Sequence, residues 1–77
     1  MKPVPVITGK DLIKTLEKYG CTLVRSRGSH VRLRSPAGKM TTVPVHAGKD
    51  VPKGLLRKIL HEDLELSEDQ VKELFEM

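Results

Sequence analysis

The chain has almost no aromatic residues: Tyr19 and Phe75 are the only two, and tryptophan is absent. Modules that read single-stranded RNA by stacking successive bases need several rings, so that mode of recognition is excluded. Cysteine is nearly absent too. Cys21 stands alone, so no disulfide closes within the chain and no thiolate cluster holds a metal. A small chain without disulfides suits a reducing compartment. Long hydrophobic runs are also missing. Nothing approaches the roughly 20 apolar residues of a membrane-spanning helix, and the first residues lack the apolar stretch of a signal peptide. A soluble, cytoplasmic protein with no membrane partner is the expectation. No HExxH pattern and no Cys/His ligand spacing occurs, so neither a metal site nor a cofactor is expected.

What is present is charge, unevenly spread. Residues 1–60 carry thirteen Lys and Arg against three acids, a net +10, whereas residues 61–77 carry seven acids against Lys72 alone, a net −6. A cationic body of this kind attracts polyanions by Coulomb steering and counterion release, and RNA is the expected partner. With 77 residues the chain makes one domain over 1–77 with a thin core. A surface groove is therefore a better place for function than a deep cavity.

Two prolines make residues 1–7 an extended opening segment. Thr8 then sits ahead of a helix whose apolar face is Leu12, Ile13, Leu16 and Tyr19, and Gly20 ends it near residue 19. Residues 21–27 and 30–34 read as two strands joined at Gly28-Ser29, because glycine suits the first central position of a type II′ hairpin turn. Ser35 to Lys39 is a turn, and residues 40–45 are a third strand that Pro44 confines to a sheet edge. Pro52 suits the first turn of a second helix bearing Leu55, Leu56, Ile59 and Leu60. Ser67 caps a short acidic helix within an acidic C-terminal extension, residues 61–77. The expected class is α+β: a three-stranded antiparallel sheet with helices on one face and the other face open.

The hairpin turn sets a register. Arg27 then opposes His30, Arg25 opposes Arg32 and Leu23 opposes Arg34, and opposed residues share a face. One face is expected to carry Arg25, Arg27, His30, Arg32 and Arg34. The other carries Val24, Ser26, Val31 and Leu33 and is the expected core face. On the third strand Thr41, Val43 and Val45 point inward, and Thr42, Pro44 and His46 outward. Arg25 facing Arg32 is repulsive in the isolated protein, and a polyanion relieves it.

His30 heads the second strand beside the turn. An imidazole moves protons near neutral pH, and RNA cleavage needs a base for the 2′-hydroxyl, an acid for the leaving oxygen and cations for the phosphorane. His30 with its arginines meets that minimum. From residue chemistry alone three readings stay open: a proton-transfer group, a hydrogen-bond donor to phosphate, and a plain polar strand residue. Ser29 and His30 point opposite ways and so are not a nucleophile–base pair. Lys49 and Lys53, each beside a glycine near the start of helix two, are candidate phosphate contacts, although neither completes a phosphate-loop motif.

Three segments carry a resemblance: Arg25-Ser26-Arg27-Gly28-Ser29-His30, then Val43-Pro44-Val45-His46, then Lys53-Gly54-Leu55-Leu56-Arg57-Lys58-Ile59-Leu60. In this order, within so short a chain, they resemble the HicA family of toxins from type II toxin–antitoxin systems. The resemblance implies an α-β-β-β-α fold like a double-stranded RNA-binding domain. It implies an mRNA interferase, an endoribonuclease that works without a metal, and a HicB-type antitoxin partner that masks the active site. By this likeness His30 is the catalytic histidine, Gly28 and Ser29 shape the turn that presents it, and His46 matches a second family histidine. Arg25, Arg27, Ser29, Arg32, His46, Lys49 and Lys53 are the expected RNA contacts. The alternatives are a non-catalytic RNA-binding module of the same fold and a domain whose basic face binds only an acidic protein. Two departures stand out: Leu55 replaces a small polar residue after Lys-Gly, and the acidic end is unusually strong.

Overall fold

The structure is a computed structural model that describes residues 4–76. Residues 1–3 of the expected opening segment, and Met77, lie outside the described residues.

Helix α1 spans Gly9–Lys18. Thr8 is its N-cap, with Oγ1 accepting from the Asp11 N–H at 3.2 Å, and Gly20 closes it at φ +110°. Gly9 is required for a second reason. A Cβ there would run into the Pro44 carbonyl, with the Val45 Cα at 3.2 Å, so the start of α1 lies directly on the end of the third strand. Strands β1 (Thr22–Arg27), β2 (His30–Arg34) and β3 (Met40–Pro44) follow and form one antiparallel sheet in the order β1-β2-β3. Pro44 therefore does lie on an edge strand. The β1–β2 turn has φ +57° at Gly28 and no positive φ at Ser29, the type II′ pattern expected from glycine at the first central position.

Helix α2 spans Lys53–Arg57, just after Pro52. It runs without a break into a π-helical turn, Lys58–Asp63, so helical backbone extends three residues into the acidic segment. Helix α3 spans Glu68–Glu76. It opens with a reciprocal cap, in which Ser67 Oγ accepts from the Gln70 N–H at 3.1 Å and Gln70 Oε1 accepts from the Ser67 N–H at 2.8 Å.

The core lies between the sheet and the helices. Leu12 and Leu16 of α1, Leu56 of α2, Ile59 and Leu60 of the π-turn and Leu74 of α3 are buried against Leu33 and Val43 of the sheet. Burying each such side chain contributes about 1.5–3 kcal/mol. On this covered face Val31 pairs with Val43 and Leu33 with Thr41, which matches the alternation read from the sequence.

Strand β1 departs from expectation. Thr22, not Leu23, pairs with Arg34, and Leu23 pairs with Leu33; the ladder shifts between Leu23 and Arg25, leaving Val24 as the extra residue of a bulge. Val24 and Ser26 do not join the core. Every residue of β1 is exposed, with Leu23 at 45% and Val24 at 43%. The reason is coverage: α1 and the π-turn pack on β3, at the far edge of the sheet, and β1 overhangs them.

Candidate functional site

The bulge falls on the far side of Arg25 from the turn, so the register near the turn is undisturbed. Arg27 pairs with His30 and Arg25 with Arg32. Across β2, His30 pairs with Pro44, Arg32 with Thr42 and Arg34 with Met40. Paired residues share a face, so Arg25, Arg27, His30, Arg32 and Arg34 crowd onto the open face, and all five are exposed. Among the described residues the ion pairs are Lys39–Glu65, Lys58–Asp63 and Lys72–Glu76. None involves the strand arginines. The acidic C-terminal segment thus makes no direct ion pair with these arginines among the described residues.

His30 opens into a shallow groove of about 580 Å³ that wraps around the β3 edge. Its sheet wall is His30, Arg32, Thr42 and Pro44, and its helical wall is Leu55, Lys58 and Asp63. Arg32 Nη1 donates to Thr42 Oγ1 at 3.3 Å, which steadies one cation on the sheet wall. On the other wall Lys58 Nζ meets Asp63 Oδ1 at 3.0 Å, and Asp63 Oδ2 accepts from Thr41 Oγ1 at 2.9 Å. Leu55, the departure noted after Lys-Gly, is half-buried and lines this groove.

The remaining expected contacts, Ser29, His46, Lys49 and Lys53, do not line the groove. Ser29 sits in the hairpin turn and is half-buried, with its carbonyl accepting from the Val45 N–H at 2.6 Å. His46 is exposed just past the end of β3, where its carbonyl accepts from the Lys49 N–H at 3.0 Å. Lys49 in that loop and Lys53 at the first position of α2 are exposed as well. The structure therefore brings His30 and Arg32 into one groove, sets Arg25 and Arg27 beside them, and leaves His46, Lys49 and Lys53 outside the lining. Residue reading missed Lys58, Thr42 and Asp63. Lys58 lay within the quoted helix-two segment, but no local pattern assigns it to the side of His30.

A more enclosed hollow of about 330 Å³ lies elsewhere, lined by Val4, Pro5, Val71 and Phe75 among others. Its largely apolar walls and the carboxylates of Glu68 and Glu76 suit a polyanion poorly. Cys21, the lone thiol, is buried, and that burial raises its pKa above the ordinary thiol value. It stays protonated and plays no part on the basic face.

Together these features define a small α+β domain with one cationic sheet face and an exposed imidazole at the lip of a groove. The family model described as "HicA toxin of bacterial toxin-antitoxin" matches residues 9–66, from the start of α1 to beyond the π-turn. The chain belongs to that family, and so is a toxin with a toxin–antitoxin partnership. No curated protein and no solved structure matches it. No helix among the described residues is long and apolar enough to cross a membrane.

Proposed function

We propose that this toxin is an endoribonuclease, an mRNA interferase acting in the cytoplasm, with His30 as its proton-transfer group. The observation that supports this most is the position of His30. Its ring is exposed at the head of β2, lines the groove, and stands among arginines that form no ion pair among the described residues. In the cleavage step the 2′-oxygen of a ribose attacks the adjacent phosphorus and the bond from phosphorus to the 5′-oxygen breaks. One proton leaves the 2′-hydroxyl and one arrives at the departing oxygen. His30 carries out one of these transfers, a role typically contributing about 10²–10⁴-fold. Arg25, Arg27, Arg32 and Lys53 hold the backbone or stabilise the extra charge on the phosphorane. Ser29, His46 and Lys49 extend the contact surface around the groove.

In this reading the proton chemistry rests on side chains rather than a metal. A HicB-type antitoxin silences the toxin by covering the same basic face. The test is His30→Ala, assayed for RNA cleavage with and without chelator and for growth arrest. The expected result is loss of cleavage by about 10²-fold or more, retained RNA binding, and no effect of chelator on the wild type. Unchanged cleavage in the variant rejects the role of His30. RNA binding without any cleavage by the wild type selects the non-catalytic binding module instead.

A further inference from the structure

Lys58 and Asp63 are five residues apart. In an α-helix that spacing separates two side chains by about 140° around the axis, and such residues do not meet. Here they form an ion pair, because the segment between them is π-helical. The wider turn, with its i→i+5 pattern, brings residues 58 and 63 onto one helix face. π-turns are rare and often mark functional positions. This one aims its pair at the groove that His30 opens into.

From this geometry we infer that Lys58 is a further phosphate-binding cation of the site, on the wall facing Arg32, and that Asp63 is its positioning residue. The inference rests on the endoribonuclease reading and names part of its substrate-binding machinery. Asp63 is three-quarters covered, whereas the Lys58 side chain remains 54% exposed. Both carboxylate oxygens are engaged, one by Lys58 and the other by the buried Thr41. An ammonium group has three donors. One is used on Asp63, and two remain for a phosphodiester in the groove. The flexible lysine stem is thereby held at the groove wall before RNA arrives, so less freedom is lost on binding. Arg32, tethered to Thr42, grips from the sheet wall. A single-stranded RNA backbone then runs along the β3 edge between two fixed cations, with its ribose-phosphate link beside His30.

Binding of a short mixed-sequence single-stranded RNA to the His30→Ala protein, titrated against salt, tests the inference apart from cleavage. Lys58→Gln in that background is expected to weaken binding several-fold and to flatten the log–log salt slope by about 0.7. Lys58→Arg is expected to preserve the slope. With His30 restored, Asp63→Asn is expected to lower kcat without raising KM, since it removes a negative charge near the RNA but releases the lysine. That loss should vanish when Lys58 is already glutamine, because Asp63 acts through Lys58. A folded Lys58→Gln protein with an unchanged salt slope overturns the inference and leaves the nuclease reading intact. A His30→Ala parent that binds no RNA overturns both. An Asp63→Asn loss that persists in the Lys58→Gln background assigns Asp63 to structure alone and overturns its positioning role.

Discussion

Thr41 and Thr42 are neighbours on β3 that face opposite sides of the sheet, and each secures one wall of the same groove. Thr42 holds Arg32 on the open face, and Thr41 holds Asp63 on the covered face. The two anchors differ in burial: Thr41 is 2% exposed, and Thr42 is half-buried. Valine matches threonine in shape, so Thr41→Val removes the hydroxyl and deprives a partly buried carboxylate oxygen of its donor. A loss of about 1–3 kcal/mol is expected in urea unfolding. Thr42→Val changes an exposed contact and is expected to stay within about 0.5 kcal/mol. Equal effects of the two changes would contradict this account of the groove.

Arg25 and Arg32 face each other across the β1–β2 ladder. Like charges in that relation are destabilising, by roughly 0.2–1 kcal/mol. Arg25→Thr is therefore expected to raise stability slightly, since threonine also suits a strand. The same change should weaken RNA binding, with a shallower salt dependence. Thermal melts and RNA titrations on one preparation check both directions. If stability and binding fall together, the repulsion argument is wrong.

Glu65 lies at φ +53°, the only non-glycine residue among those described with a positive φ. It ends the π-turn, where the Leu66 N–H returns to the Leu60 carbonyl at 2.9 Å. Its side chain reaches Lys39 at 2.8 Å, but both partners are largely exposed, so the pair adds little. A left-handed backbone costs an ordinary residue about 1–2 kcal/mol. Glu65→Gly is expected to stabilise the protein by up to about 1 kcal/mol once the lost ion pair is subtracted. Denaturant midpoints measure it, and a lower midpoint in the variant contradicts the prediction.

Cys21 supplies a pH signature. Burial raises its pKa in the folded chain, whereas the unfolded thiol titrates near the ordinary value of about 8.5. Below that value both states are protonated and the contribution of the buried thiol is complete. Above it only the unfolded state ionises, so stability falls as pH rises through and beyond the thiol range. Cys21→Ala should lack this component of the alkaline decline. Alkylation of the wild-type thiol at neutral pH should be slow until denaturant is added. Rapid labelling of the native protein would place the sulfur at the surface.

Local chemistry in the chain settles most of the fold and the residues at the centre of the candidate site. Thr8, Gly20 and Ser67 mark helix ends, Gly28-Ser29 forces the hairpin, and period-two alternation places Val31, Leu33, Thr41 and Val43 inward. Those features depend on neighbours within a few residues. For the same reason His30 and its arginines are legible as one exposed face. Tertiary packing decides the rest. The bulge at Val24 and the exposure of β1 follow from where the helices stop covering the sheet, which no strand pattern encodes. The meeting of Lys58 with Asp63 needs a π-turn in a segment whose residue types equally suit an α-helix. It is the fit of Ile59 and Leu60 into the core, together with the reach of Asp63 to Thr41 on another element, that accompanies the widened turn. Both are long-range contacts, and a periodicity read along one helix carries no record of them.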